Sequence, residues 1–296
     1  MNHQDTKTPR NTPSTDPFVS PCLGGASFSN TNLTASILGI SVWAPGLPGW
    51  EAARPTLAGQ TPWTDTIHAP PPPMMLPPTE RRRAGPVIRL ALAVAAEATA
   101  RSGLDPASLR CVFGSSNGDG PVVGGILQAL ATASPGERVV SPTQFHNSVH
   151  NAPAGYWSIG HASRQPATCL GAHDATWPAS LLKAMAELQA EQEPVLLCCY
   201  DHPLPPPLDA LRPTGAAFAI ALILAPSQPG SPHLNMTWHP GPAPQSPLPP
   251  PMAHLRTANR IAESLPLLIA LAANTPTTHA IPYLDGHLML TMHTSS

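Results

Sequence analysis

Charge is what this chain has least of. Only 11% of its 296 residues are Asp, Glu, Lys or Arg, and the balance leaves a net charge of −2. Such a chain has no electrostatic case for nucleic acid or an anionic membrane as partner, since both are gripped through clustered Lys and Arg. Aromatic residues are also few, at 5%. No apolar run reaches the roughly 18 residues that a membrane-spanning helix needs. The opening MNHQDTKTPRNTPSTD has no apolar h-region and does not read as a secretory signal. Five cysteines, at 22, 111, 169, 198 and 199, are odd in number and form no C-x-x-C pair. Three of the regions holding them read as buried strands, where reduced cysteine is a common small core residue, and a cytoplasmic location fits.

Familiar catalytic signatures are missing too. The glycine-rich turn Ser115-Ser116-Asn117-Gly118-Asp119-Gly120 lacks the lysine of a phosphate loop and the spacing of a dinucleotide fingerprint. His146, His150, His161 and His173 crowd one region, and His146-x3-His150 would face one way on a helix. Pro142 and Pro153 argue that this stretch is irregular, and no Cys or carboxylate lies nearby at ligand spacing, so no metal is expected. His173-Asp174 spells a phosphohydrolase dyad, but the pair sits at a strand-to-helix junction without the further ligands such a site requires.

What the chain does hold is 41 prolines, clustered at 70–73, 77–78, 203–207 and 240–251. They mark loops around a compact core, because proline cannot donate within a helix or a central strand. Residues 1–33, polar and rich in Thr, Asn, Ser and Pro, are expected to be a disordered tail. Ser36 to Trp43 reads as a first buried strand, Pro55 to Pro78 as an irregular loop, and Val87 to Ser102 as a helix capped by Gly103. Leu109 to Ser115 reads as a strand and Val122 to Thr132 as a helix. The unalternating runs PVLLCCY (194–200) and GAAFAIALILA (215–225) indicate strands covered on both faces, as in a layered α/β fold. His233 to His239 is expected as an outer strand, Met252 to Ala273 as a helix restarted near Pro266, and Gly286 to Met292 as an edge strand.

The most informative stretch is Ser141 to Ala184. A Ser-Pro loop runs to Asn151, followed by an apolar segment, Ala152 to Ile159. After the Gln165-Pro166 turn comes a small-residue run, Ala167 to Ala172. A helix begins near Asp174 with Leu181, Leu182, Met185 and Leu188 at core spacing. Ser141, Pro142, Asn151, Ala154, Gly155 and Pro166 resemble the nucleophile region of β-ketoacyl synthases, the condensing enzymes of the thiolase fold. The resemblance covers roughly Ile37 to Ala225. It implies a thiolase-like α-β-α half-fold with a mixed five-stranded sheet, lacking most of the C-terminal half. It also implies a ketosynthase-like domain over 34–226, with 227–296 as a proline-rich segment, helix and edge strand packed on it.

In that register Asp174 occupies the position of the nucleophilic cysteine. A thiolate at a helix N-terminus attacks an acyl thioester; a carboxylate there is a good helix cap but a poor nucleophile. Cys169 lies five residues upstream, mid-strand, and cannot substitute. The family's His-Gly-Thr and Asn-x-x-Phe-Gly histidine motifs do not occur in this sequence. The resemblance is therefore to chain-length-factor subunits of the aryl polyene and polyketide type, which pair as heterodimers with an active β-ketoacyl synthase and meet acyl carrier protein through that complex. It implies an interface along Ala167–Ala172, with Thr143, Gln144, Phe145 and His146 at the floor of the partner's acyl tunnel. Asn151, Cys169, His173 and Asp174 complete the candidate set, with no cofactor. Arg81-Arg82-Arg83 reads either as a solvated turn or as a carrier-protein patch. Two rival readings remain: an active synthase or malonyl-carrier decarboxylase using another residue, and a scaffold for a synthase complex.

Overall fold

The computed structural model describes residues 32–132, 134 and 139–294. The proposed tail at 1–33 lies outside them, apart from its last two residues, and so does Cys22. In chain order the elements begin with β1 (Leu33–Ala44), the short β2 (Leu47–Pro48), α1 (Trp50–Leu57), α2 (Pro78–Arg83), α3 (Pro86–Ser102) and β3 (Arg110–Gly114). The middle of the chain supplies α4 (Gly120–Thr132), α5 (Pro142–Ser148), α6 (Ala152–His161), β4 (Ala167–Leu170), α7 (Thr176–Glu191) and β5 (Val195–Asp201). Then come α8 (Leu208–Leu211), β6 (Phe218–Ala225), β7 (His233–Pro240), α9 (Pro250–Ala258), α10 (Leu265–Ala273), β8 (Thr277–Tyr283) and β9 (Gly286–His293).

All strands among the described residues join one mixed sheet of nine, in the order β4-β3-β5-β6-β1-β7-β9-β8, with β2 attached to β1. β4, β3 and β5 are parallel neighbours; every later pairing is antiparallel. The expected five-stranded sheet is its first part, β4-β3-β5-β6-β1. The remaining strands correct that count, because the residues after Ala225 extend the same sheet. They also correct two placements: β7 is interior, and β9 is flanked by β7 and β8, so β8 is the true edge.

Both faces of the central strands are covered, as their unbroken apolar runs require. Val195–Asp201 and Phe218–Ala225 are buried at every position. One core sets α3 and α6 against the sheet, with Leu90, Val94, Ala98 and Trp157 buried. The opposite core holds α7, α1, α9 and α10, with Trp177, Leu181, Met185 and Leu188 buried. Gly39 sits where α3 crosses β1, and a Cβ there would collide with the carbonyl of Ala98. Gly103 closes α3 at φ +70°, the left-handed conformation that glycine adopts without strain.

Prolines misread as breakers start helices instead. Pro142 and Pro153 each lie in the first turn of a helix, where a missing N–H costs nothing. The expected irregular stretch after Ser141 is therefore α5. Pro55 lies inside α1 and Pro78 opens α2, so the loop between them is shorter than expected.

Candidate functional site

Parallel β3, β4 and β5 deliver three loops to one end of the sheet: Ser115–Asp119, Gly171–Asp174 and Asp201–Pro203. Ligand sites of α/β sheets sit at such carboxyl ends. The hub is Asp201, the last residue of β5, which is 2% exposed. Its Oδ1 accepts hydrogen bonds from Ser115 Oγ (2.8 Å), Ser116 N (2.9 Å) and Asn117 N (2.9 Å). Burial pushes its pKa up, and those donors pull it back only in part. The amide of Asn117 donates to His202 O and to Thr214 Oγ1, both at 3.0 Å. The Ser115–Gly120 turn is thus pinned to the end of β5 by its own backbone, with Gly118 at φ +56°.

The loop after β4 closes against this hub. A Cβ on Gly171 would approach Ser115 O to 2.7 Å, so the small residue is required where the two loops touch. His150 Nε2 donates to the same Ser115 carbonyl (2.8 Å). His173 has φ +50°, and His173–Ala175 forms a single 3-10 turn before α7. Asp174 does not cap the helix, contrary to expectation: no side chain caps α7, and Thr176 Oγ1 instead accepts from Ala172 N (3.0 Å). The carboxylate turns outward to two arginines. Its Oδ1 lies 3.1 Å from Arg212 Nη1, and its Oδ2 lies 3.6 Å from Arg260 Nε. Arg212 is held in turn by Asn117 Oδ1 at 2.8 Å. Asp174, Arg212 and Arg260 line a cavity of about 280 Å³ together with His173, Asp201, Thr214 and Asn259.

Asp201, Asn117, Arg212 and Arg260 were not among the residues singled out from the sequence. One signal pointed to Asp201: a carboxylate ending a buried apolar run must be satisfied somewhere. The arginines left none, because their pairing spans loops distant in the chain.

The other candidates divide into two groups. Cys169 lies within β4, half-buried, with its thiol pKa raised by burial, so it is no thiolate. Cys111 and Cys199 are buried as well, each pushed up to about 12, mainly by burial. Thr143, Gln144, Phe145 and His146 all lie on α5, and Phe145 is 67% exposed. His146 packs edge-on to Tyr156, whose hydroxyl donates to Asn147 Oδ1 (3.1 Å). His146 and His150 serve separate partners, and the described residues contain no cluster able to hold a metal. Asn151 precedes α6 without a side-chain cap. In α2, Arg81 folds back onto Leu76 O (2.9 Å) and Arg83 pairs with Glu80, which leaves Arg82 outward.

On α4 only Gly120 is buried, and its Leu127 and Leu130 are exposed, as are Phe145 on α5 and Ile159 on α6. Among the described residues nothing pairs with the outer side of β4.

Residues 56–281 match the family model of the β-ketoacyl synthase N-terminal domain. The chain belongs to this family. Solved structures share the β-ketoacyl synthase, thiolase-like fold across most of its length. One is a ketosynthase in complex with its chain length factor from Xenorhabdus doucetiae, at 21% identity and TM-score 0.65, covering 88% of this chain and 99% of that one. The ishigamide ketosynthase/chain length factor aligns at 12% identity and TM-score 0.66, covering 89% and 100%. A type II polyketide acyl-carrier protein in complex with its ketosynthase, AntDE:AntF, aligns at 12% identity and TM-score 0.63, covering 90% and 100%. No match was found among curated proteins. The residue that the sequence register expects at the nucleophile's position, Asp174, lies in the 3-10 turn between β4 and α7. No helix of the described residues is long and apolar enough to cross a membrane.

Proposed function

We propose that this chain is a non-catalytic β-ketoacyl synthase-like subunit, a chain length factor, that pairs in the cytoplasm with an active β-ketoacyl synthase in polyketide or aryl polyene chain elongation. The observation that carries this reading is the Asp174 carboxylate held by Arg212 and Arg260, at the position where the sequence register expects a cysteine. A carboxylate neutralised by two guanidiniums is a weak nucleophile, and an acyl group on it would be a labile mixed anhydride. Among the described residues no thiolate stands by to replace it: burial raises the pKa of Cys111, Cys169, Cys198 and Cys199.

Pairing is supported by the side of β4 that nothing among the described residues pairs with, and by the exposed Leu127 and Leu130 of α4, Phe145 of α5 and Ile159 of α6. An edge strand offers a row of free N–H and C=O groups that a second strand can complete. Two similar folds are described as ketosynthase–chain length factor pairs, and a third as a carrier protein bound to its ketosynthase. The exposed Phe145 on α5 would then project into the partner's acyl tunnel, where its bulk limits the number of two-carbon extensions. Acyl carrier protein would be met through the complex.

Co-expression with a β-ketoacyl synthase, followed by sizing, should give a one-to-one complex. In that complex Phe145→Ala should lengthen the product and Phe145→Trp shorten it, by about one two-carbon unit. A complex whose products ignore both substitutions would leave a scaffold and remove the length-setting role. A covalent acyl group on this chain after exposure to a loaded carrier would overturn the non-catalytic reading.

A further inference from the structure

Most helices keep their place in a protein by burying an apolar face. α5 does not. Among its described residues only Asn147 is buried, and Phe145, two positions earlier, stands out into solvent. A helix of seven residues is too short to persist on its own internal hydrogen bonds, so its position is fixed from outside.

The fixing group is the side-chain amide of Asn147. Its Nδ2 donates to Arg83 O at 2.8 Å. Arg83 is the last residue of α2, and its carbonyl is one of those that a helix end leaves without an internal partner. The Asn147 Oδ1 accepts from the hydroxyl of Tyr156, on α6, at 3.1 Å. His146 Nδ1 lies 3.2 Å from the same oxygen, and its ring meets Tyr156 edge-on with centroids 5.8 Å apart. Three helices therefore meet at one buried amide. Hydrogen bonds are directional where apolar contacts are not, so this anchor sets the rotation of α5 about its axis as well as its place. Residues two apart lie about 200° apart around a helix, so holding Asn147 inward turns Phe145 outward.

We propose that Asn147 is the positioning residue of α5: its amide, bonded to Arg83 O and Tyr156, aims Phe145 and thereby sharpens product length. The consequence for product length rests on the reading of Phe145 given above, whereas the hold on α5 is measured on this chain alone.

The test is made against Tyr156→Phe, which removes the buried hydroxyl and leaves Asn147 bonded to Arg83. Removing both partners of a buried hydrogen bond costs little stability, whereas removing one leaves the other unpaired. Asn147→Ala/Tyr156→Phe should therefore unfold near the midpoint of Tyr156→Phe, and Asn147→Ala alone should unfold earlier. In hydrogen exchange of the full chain, the α5 amides of the double variant should exchange about tenfold faster than those of Tyr156→Phe, the effect of roughly one lost hydrogen bond, with β5 and β6 unchanged. In the complex with a synthase, Tyr156→Phe should keep product length, and the double variant should spread products to the neighbouring lengths on either side. Unchanged exchange in α5 would overturn the assignment. So would products that shift with Phe145→Ala and stay fixed in the double variant. Faster exchange in α5, with products indifferent to Phe145→Ala and to the double variant alike, would uphold Asn147 as the anchor of α5 and remove the length-setting reading of Phe145 instead.

Discussion

The sheet ends in two unlike edges. At β8, Pro282 and Thr278 are exposed, and the proline removes a donor from the rim. This is how natural proteins blunt an edge against stray pairing. At β4 the four residues Ala167–Leu170 include no proline and no charge, and none of them is buried. The helices between β3 and β4 in the chain carry exposed Leu127, Leu130, Phe145 and Ile159. One edge is finished and the other is not. An edge left bare is what a subunit interface requires and what a free monomer avoids.

The largest effect should come from blocking that bare edge. The carbonyls of Pro166 and Leu170 accept from Cys111 N (3.0 Å) and Ser115 N (3.1 Å), so they face β3. By the two-residue period of a strand, Ala167 and Cys169 turn their N–H groups outward. Cys169→Pro deletes an outward donor and places a ring in the path of an incoming strand. Association with the proposed synthase partner should fall roughly a thousandfold, by about 4 kcal/mol, while the chain itself stays folded. Analytical ultracentrifugation of the co-expressed pair measures this. An unchanged complex would move the interface away from β4.

The finished edge carries the next effect. His279 titrates at about 4 in the folded chain against 6.5 in its ordinary state, because burial disfavours the charged ring. The folded protein therefore binds fewer protons than the unfolded one between those values. Its stability is full above pH 6.5 and declines as pH falls toward 4, by about 3 kcal/mol over that window. In His279→Leu that part of the decline should vanish. Urea unfolding at pH 7 and pH 4.5 compares the two proteins; parallel losses would show that another group is responsible.

What was legible in the sequence follows the same division. Val195–Asp201, Phe218–Ala225 and Pro86–Ser102 are continuous apolar or amphipathic segments bounded by Pro or Gly, and local pattern alone identifies them. β4 was visible as a small-residue run set by a family register. β8 was not, because TTHAIPY holds an internal proline and a histidine, the residues that argue against a strand. α5 was hidden for a related reason: Pro142 reads as a breaker until its place in the first turn is known. Asp174 was found as an anomaly, but its function as an ion-pair partner was not. The Arg212 and Arg260 contacts depend on how remote loops fold together, and no spacing rule encodes that.

The smallest effect belongs to Asp174, and it separates the edge of β4 from the end of its loop. The carboxylate is half-exposed, with 52% of its side-chain surface open, and its two arginines keep other partners: Asn117 for Arg212 and Glu263 for Arg260. Exposed pairs of this kind contribute at most about 1 kcal/mol, so Asp174→Ala should shift the unfolding midpoint only slightly. In the complex with an active synthase, product length and turnover should be unchanged, because nothing in the proposed role passes through this side chain. If turnover instead disappeared while the complex stayed intact, the carboxylate would be taking part in the chemistry. The contrast would then be reversed, with the loop after β4 holding the activity and the bare edge only supporting it.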